Sequence, residues 1–368
     1  MQLFNNSEKN DVKNIINNHC ETFINEIDNQ KIKSVVSDFF YNDCVQYFST
    51  FMHLQQSLKT DAITQDSATE IMIEQTNKIL QKGRTLQEYL EKSDHSHLVD
   101  SIKKIFRKIG IHWGGESRLL AHAFFKPRGY AGDYLIIENI YNNISSSQGL
   151  GFCIDQTFLR DDYAVAVRSR MEKMKHVLNG FASNSGNNLN IVNIACGSSR
   201  EIRHLLEEKL LPHTKEITIN LIDHDQEALT FSKEKIDPHL YGSITCRYIQ
   251  QNVYDYIYSP DEHAEMFMDS DLVYSIGLAD YLSDEAFKKF VSFTHRILKS
   301  NGTLIIAHKD SKNYNPLSAD WWCDWTFNLR NENEVISLIE NSGIENYEIS
   351  IERETNTNII LFIRITKK

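Results

Sequence analysis

The chain has 368 residues, longer than one ordinary compact domain, so two domains are expected. Its formal net charge of −11 argues against a nucleic-acid partner, because binding to phosphates needs a basic face. The six cysteines are scattered and form no C-x-x-C pair, so we predict neither a disulfide framework nor a metal site. No N-terminal apolar leader is present, and no apolar run approaches the ~20 residues that span a bilayer. We therefore expect a cytoplasmic protein with no membrane partner.

The N-terminal part of the chain is poor in residues that break helices. Residues 1–109 contain no proline and one glycine, Gly83, which predicts helices. Apolar residues recur there at helical spacing, at Met72, Ile79, Leu86 and Leu90. We expect four or five amphipathic helices, a break over 110–115 and another helix over 116–125. Residues 1–125 are therefore predicted to form an all-α domain.

A loop rich in glycine and aromatic residues follows this domain. It reads K-P-R-G-Y-A-G-D-Y over 126–134, a composition typical of a structured loop. A serine-rich stretch near 145–149 is a candidate mobile connection, and a helix is predicted over 158–178. Residues 126–185 are assigned to a region that connects the two domains and covers the site.

The rest of the chain, residues 186–368, alternates strands and helices. Strands are predicted near 191–195, 217–222, 244–250, 271–275 and 303–307, and helices near 199–210, 226–236, 284–299 and 332–342. Asn301-Gly302 is expected to end the third of these helices. The last two strands, near 345–352 and 358–366, are close enough to pair antiparallel. The prediction is an α/β domain, Rossmann-like, with a seven-stranded sheet, and its closing hairpin is not expected of a dinucleotide-binding dehydrogenase.

Two stretches of this domain indicate an adenosine site. The first, N-I-V-N-I-A-C-G-S-S-R-E over 190–201, is a strand, a small-residue turn and a helix start, and the second is a strand that ends on Asp223. A carboxylate there can accept from both ribose hydroxyls. Of the three glycines in G-x-G-x-x-G only Gly197 is present, which favours a cofactor without phosphates, S-adenosylmethionine (SAM), over NAD. The alternative is a plain βαβ unit with a small turn.

In open α/β sheets the ligand lies beyond the carboxyl ends of the strands. Asp223 is the ribose candidate, although it could instead cap a helix, a role for which Asp225 is better placed. Asn252 is either an adenine contact or a turn asparagine. The residues predicted to bind the cofactor are Tyr130, Ala195, Cys196, Gly197, Ser198, Asp223, His224, Asn252, Val253, Ser275 and Gly277.

Three separated motifs carry a family resemblance from about residue 118 onward. They are A-C-G-S-S-R-E at 195–201, Y-S-I-G-L-A-D-Y-L at 274–282 and R-G-Y-A-G-D-Y at 128–134. The chain resembles class I SAM-dependent methyltransferases and, within them, the bacterial family of 3-hydroxypalmitate methyl ester (extracellular factor) biosynthesis. The resemblance implies a SAM fold, an N-terminal helical lid and a carboxylate as methyl acceptor. The sequence departs from the family at Asn193, Ala195, Ser199 and His308-Lys309. These departures are compatible with SAM binding, but they weaken what the resemblance implies about the methyl acceptor.

A carboxylate acceptor would need a fixed cation, because guanidinium binds carboxylate bidentately. The candidates are Arg128, Arg168 and Arg330, although a surface or structural role is the more common one for an arginine at each of these positions. Aromatic rings could face the sulfonium. Of these, Tyr130 and Tyr281 are predicted as catalytic, with His308 as a candidate base that could otherwise be a polar strand end. The predicted substrate-binding residues are Arg128, Tyr134, Arg168, Trp325 and Arg330.

These predictions favour an enzyme that methylates a carboxylate or hydroxyl of a small-molecule substrate. A second hypothesis is a SAM cyclase, in which the amine of SAM attacks its own γ-carbon and gives methylthioadenosine and azetidine-2-carboxylate. A third is a SAM-binding regulatory subunit without catalytic activity.

Overall fold

A computed structural model describes residues 6–368. Contacts divide them into two compact units. The helical unit contains the residues up to Asp161 and a returning segment, Pro316–Thr326; the α/β unit contains Asp162–Asn315 and Phe327–Lys368. This division differs from the boundaries at 125/126 and 185/186 that composition indicates.

The helical unit begins with five α-helices, as the scarcity of glycine and proline predicts. The helix expected over 116–125 begins two residues later, and two more helices follow it. The last helix of the unit lies in the returning segment. Their bounds are Asn6–Asn25, Gln30–Asp38, Val45–Lys59, Gln65–Lys92, Val99–Gly114, Arg118–Phe125, Tyr134–Asn142, Gly149–Leu159 and Leu317–Cys323.

Two tryptophans of the returning segment complete the aromatic core of the helical unit. The Trp322 ring is parallel to that of Phe51, with centroids 6.2 Å apart, and Trp321 lies edge-on to Phe106 at 5.5 Å. A Cβ at Gly110 would lie 2.6 Å from the Trp322 ring. The predicted break at 110–115 is therefore wrong, because the helix runs on to Gly114 and Gly110 gives room to a tryptophan instead of ending the helix.

The α/β unit is built on one seven-stranded sheet, which confirms the predicted Rossmann-like architecture. The strand order is β3-β2-β1-β4-β5-β7-β6. The first five strands are parallel to their neighbours, and β7 pairs antiparallel with both β5 and β6. The strands are β1 Asn188–Ile194, β2 Glu216–Asp223, β3 Ser243–Gln250, β4 Ser270–Ser275, β5 Leu298–Lys309, β6 Tyr347–Arg353 and β7 Ile360–Lys367.

Helices flank the sheet, and two of their predicted limits are wrong. The helix before β5 ends at Ile297 because Leu298 already pairs with Ser270, so Asn301, with a φ of 62°, lies within the β5 segment. The helix before β1 extends through Asn184, into residues predicted to form a polar loop. The α-helices are Asp162–Asn184, Arg200–Glu207, Gln226–Ile236, Val253–Tyr258, Pro260–His263, Asp284–Ile297 and Glu332–Glu340.

The central parallel strand of the sheet is buried along its whole length. Every residue of β4 is buried, as expected for a parallel sheet that is covered on both faces. The apolar stripe of the helix Asp284–Ile297 packs into the same core, with Phe287, Phe290 and Val291 fully buried. None of the helices within residues 6–368 is both long and apolar enough to cross a membrane.

Candidate functional site

The loop after β1 has an unusual backbone conformation. Positive φ angles occur at Ala195 (56°), Gly197 (52°) and Ser199 (47°). Only glycine adopts this region without strain, and strained loops of this kind cluster at ligand sites. Neighbouring residues hold the loop in place: the Cys196 N–H donates to a β2 carbonyl at 3.0 Å, and the hydroxyl of Ser232 donates to the Gly197 carbonyl at 2.8 Å. The turn is thus organised before any ligand arrives.

Asp223 joins this loop to the tip of β2. Its Oδ2 accepts the Gly197 N–H at 2.8 Å and its Oδ1 accepts the Asp225 N–H at 2.9 Å. A carboxylate has about four acceptor positions, so hydroxyl donors can still bind to it. The helix-capping alternative falls to Asp225, whose side chain accepts the N–H groups of Glu227 and Ala228.

The other residues predicted to bind the cofactor near β1, β2 and β3 differ in exposure. Ser198 is buried, whereas His224 is exposed and its Nδ1 lies 3.2 Å from Asp223 Oδ1. Burial, with Asp223 nearby, raises the pKa of the Cys196 thiol well above its ordinary value, so this thiol stays protonated. Asn252 accepts the Tyr254 N–H at 3.0 Å and caps a helix, which gives it the turn role.

The two residues near the end of β4 that are predicted to bind the cofactor differ in their accessibility to a ligand. The Ser275 hydroxyl is fully buried and donates to the Ile194 carbonyl at 2.7 Å, so it joins β4 to β1 and does not point towards a ligand. Gly277 is half-buried, and a Cβ there would lie 3.9 Å from Nη2 of Arg170. Arg170 is a residue that the sequence analysis missed.

Arg168 and Arg170 lie on different sides of the helix Asp162–Asn184, because two residues correspond to a rotation of about 200°. Arg170 is buried, as are Tyr163 and Val167. Arg168 is half-buried, and this partial burial lowers its pKa. The positions of Tyr163, Val167 and Arg170 follow helical spacing, so periodicity would have selected Arg170 over Arg168.

A buried charged cluster lies between the ends of β4 and β5. Asp280 Oδ2 accepts from Lys309 Nζ at 2.6 Å, and its Oδ1 accepts the Lys309 N–H at 2.8 Å. His308 Nδ1 lies 2.9 Å from Oδ1. Burial alone would raise the pKa of Asp280, but Lys309 and His308 lower it well below its ordinary range. Since His308 is fully buried in this cluster, its predicted role as a substrate base is wrong.

Aromatic rings surround the Lys309 ammonium. Its Nζ lies 3.7 Å from the Phe327 centroid and 5.0 Å from that of Tyr163. Burial lowers the pKa of Lys309 to about 8, although the neighbouring Asp280 raises it. Tyr281 contacts the same Phe327, at 5.5 Å between centroids, and remains 37% exposed. Tyr281 therefore forms the accessible part of this aromatic cluster, and its catalytic role stays a prediction.

Arg330 has a structural role and is not available to bind a substrate. Its Nε donates to Asp284 at 2.8 Å, and its Nη2 donates to the Leu282 carbonyl at 2.6 Å. Its guanidinium also lies 5.2 Å from the Phe287 ring centroid. These contacts fix the turn that carries Asp280, so the predicted role in substrate binding is wrong for Arg330.

The remaining predicted residues lie in the helical unit. The Arg128 guanidinium lies 5.1 Å from the centroid of Tyr134, and Tyr134 and Trp325 are buried, which indicates packing rather than substrate contact for these two. Tyr130 is half-buried, and its cofactor role stays a prediction. A contact that the sequence did not indicate joins His122 Nε2 to Asp133 Oδ2 at 2.6 Å. Within residues 6–368, no group of three or more His, Cys, Asp and Glu residues is placed to hold a metal ion.

Comparisons with known proteins give structural relatives only. No protein-family model matches the chain, and no curated protein sequence does. A possible exported protein from Bordetella parapertussis has a similar structure, with 15% identity and a TM-score of 0.51 over 72% of this chain and 88% of its own. Magnesium protoporphyrin IX methyltransferase from Synechocystis PCC 6803 with bound SAM has 10% identity and a TM-score of 0.41 over 56% and 85%. The 1,6-didemethyltoxoflavin-N1-methyltransferase from Burkholderia thailandensis has 13% identity and a TM-score of 0.38, over 57% of this chain and 82% of its own. At these identities the Bordetella structure shows a shared fold and no more.

Proposed function

We propose that this chain is a SAM-dependent methyltransferase whose acceptor is a small molecule, preferably a carboxylate. The observation that carries the proposal is the contact between Asp223 and the Gly197 N–H, which joins the strained β1 loop to the tip of β2. This loop lies at the sheet edge where open α/β folds bind their ligands. It lacks the glycine-lined helix start that a pyrophosphate needs, and this favours SAM.

The residues fit an adenosine ligand on chemical grounds. The two ribose hydroxyls would donate to Asp223, whose carboxylate keeps acceptor capacity beyond its two backbone contacts. His224, which follows β2, would lie beside the adenine, whereas Asn252, which follows β3, keeps its role as a helix cap. The amino-acid end of SAM would then extend towards Gly277.

SAM supplies a methyl group on a sulfonium, a good leaving group. The chain then has to align the acceptor with the methyl group and exclude water. The partly exposed ring of Tyr281 gives an aromatic surface that stabilises positive charge. A hydroxyl acceptor would also need a base, yet His308 is fully buried and Lys309 is bound to Asp280. A carboxylate is already ionised at neutral pH, so the geometry favours it as acceptor.

Mass spectrometry of the purified chain with SAM and a carboxylate panel tests this proposal. Long-chain hydroxy acids are the first acceptors to try, and the matched alcohols are the controls. We expect S-adenosylhomocysteine together with methyl esters of the acids, at rates that fall sharply in Asp223→Ala. A chain that neither binds nor consumes SAM would contradict the proposal.

A second candidate is the SAM cyclase, and one observation favours it. Burial lowers the pKa of Lys309 although Asp280 raises it, and the charge of Arg170, which would also act on a SAM amine bound beside it, lowers this pKa further. A SAM amine bound here would lose its proton more readily and become nucleophilic. Its nitrogen would attack the γ-carbon, the C–S bond would break with its electron pair remaining on sulfur, and the new ring nitrogen would release a proton to solvent. Methylthioadenosine and azetidine-2-carboxylate formed from SAM alone, above a no-enzyme control, would establish this activity.

A further inference from the structure

We propose that Arg170 and Gly277 form a carboxylate-binding subsite beside the end of β4. The ligand group is a carboxylate, contributed either by the methionine part of SAM or by the acceptor. The inference rests on the proposed function for the identity of the ligand. The placement of the subsite rests on the α/β unit alone.

Gly277 lets a ligand approach the backbone closely. It follows β4 at the carboxyl end of the sheet and is half-buried, so part of its surface is open to a ligand. The Cβ of any larger residue would lie 3.9 Å from Arg170 Nη2. That is ordinary van der Waals contact, so the fold itself does not demand glycine at this position. A ligand that occupies this space instead would meet the guanidinium directly.

Arg170 gives this position a buried positive charge. The residue is 5% exposed. Its charge reaches Lys309, whose pKa is lowered first by burial, against the effect of Asp280, and further by Arg170. Lys309 donates to Asp280 from both its side-chain ammonium and its backbone N–H, so the charge of Asp280 is already paired. A second anion placed beside Arg170 would therefore be attracted by the guanidinium in a medium of low dielectric constant.

Guanidinium chemistry selects the ligand group. Arginine presents five N–H donors in a planar fork that matches a carboxylate bidentately, whereas a lysine ammonium acts only as a point charge. Arg170 lies on the helix Asp162–Asn184, and Gly277 follows the end of β4 by two residues. A guanidinium at this position should distinguish a carboxylate from a ligand that lacks one.

The experiment compares SAM with decarboxylated SAM, which differ only in this carboxylate. Calorimetry is carried out on the wild-type chain, on Arg170→Gln and on Arg168→Gln as the control from another side of the same helix. If SAM supplies the group, we expect the wild-type chain to prefer SAM by roughly 10- to 100-fold, the usual size of a charge-assisted contact. This preference should largely vanish in Arg170→Gln and persist in Arg168→Gln.

A second arm tests the acceptor as the source of the carboxylate. It compares 3-hydroxyhexadecanoate with its methyl ester, both bound in the presence of S-adenosylhomocysteine. A preference for the acid that disappears in Arg170→Gln, while the SAM preference survives, assigns the subsite to the acceptor. Arg170→Lys, which keeps the charge without the fork, should restore part of the lost preference, and circular dichroism of each variant checks that it is folded.

The outcomes separate the subsite from the function. If the wild-type chain binds SAM and the folded Arg170→Gln keeps both preferences, the subsite is wrong and the proposed function stands. If the wild-type chain binds neither form of SAM, the proposed function fails and the subsite fails with it.

Discussion

Two buried aspartates at one sheet edge are satisfied in different ways. Asp223, the last residue of β2, is 6% exposed and accepts two backbone N–H groups, whereas Asp280, which follows β4, is 1% exposed and accepts from the Lys309 ammonium. Backbone donors orient a carboxylate without neutralising its charge, and they leave acceptor positions for a ligand. A buried lysine neutralises its partner and keeps it within the fold. Burial and position therefore do not by themselves make a carboxylate a ligand contact.

The largest expected effect comes from breaking the internal pair at Lys309. Lys309→Met leaves Asp280 buried without its lysine, which we expect to lower the free energy of unfolding by about 3–5 kcal/mol. The double variant Asp280→Asn with Lys309→Met should recover much of this loss, because both charges are gone. Urea denaturation followed by circular dichroism measures all variants. Strictly additive losses would contradict the pair as the source of the effect.

Removal of the Asp223 side chain should weaken SAM binding and leave the Asp280–Lys309 pair unaffected. Asp223→Ala should weaken SAM binding by about 1.5–3 kcal/mol, because it removes hydrogen bonds to a charged group. The control is Asp225→Ala, which removes a helix cap and should cost about 1 kcal/mol of stability with little change in SAM affinity. Calorimetry and thermal unfolding of both variants check these expectations. Equal affinity in Asp223→Ala and the wild-type chain would remove Asp223 from the cofactor site.

The free energy of unfolding should depend on pH in acid, because Asp280 is ionised in the folded chain. Its pKa lies below the usual 3.8 in the folded chain, so below that pH the unfolded chain binds the additional proton. Stability from this group is present above pH 3.8 and is lost as the pH falls, by up to about 1.4 kcal/mol per pH unit. The free-energy difference between the wild-type chain and the double variant without either charge should therefore shrink in acid. A difference that is constant between pH 6 and pH 3 would argue against the ionised pair.

The smallest effect on stability is expected at Gly277. Gly277→Ala meets Arg170 at 3.9 Å, an ordinary contact, so the free energy of unfolding should change by less than about 0.5 kcal/mol. SAM affinity should fall, because the methyl group enters the space assigned to the ligand. Gly180→Ala is the matched control, since nothing lies within 4 Å of its Cβ. Unchanged affinity in Gly277→Ala would place the ligand elsewhere.

The sequence predicts the β1–β2 end of the site because its signals are local. A short apolar strand, a small turn and a carboxylate two dozen residues later specify the loop and Asp223 without long-range information. The strand pattern likewise predicts the seven strands, and the antiparallel pair at the C-terminus follows from its short connection.

The β4–β5 end could not be predicted in the same way, because its residues are distant in sequence. Arg170, Asp280, Lys309 and Phe327 are brought together only by the folded sheet. His308 and Arg330 resemble functional residues in the sequence, yet burial and backbone contacts assign them to the fold. The return of Pro316–Thr326 to the helical unit is equally invisible to local patterns. Tertiary contacts decide each of these roles.

A crystal structure of the full chain with SAM would show directly whether Asp223 binds the ribose. We expect both ribose hydroxyls within hydrogen-bond distance of Asp223, with the amino-acid end of SAM extending towards Gly277. A SAM molecule bound away from the β1 loop, or a ribose that does not contact Asp223, would contradict this expectation.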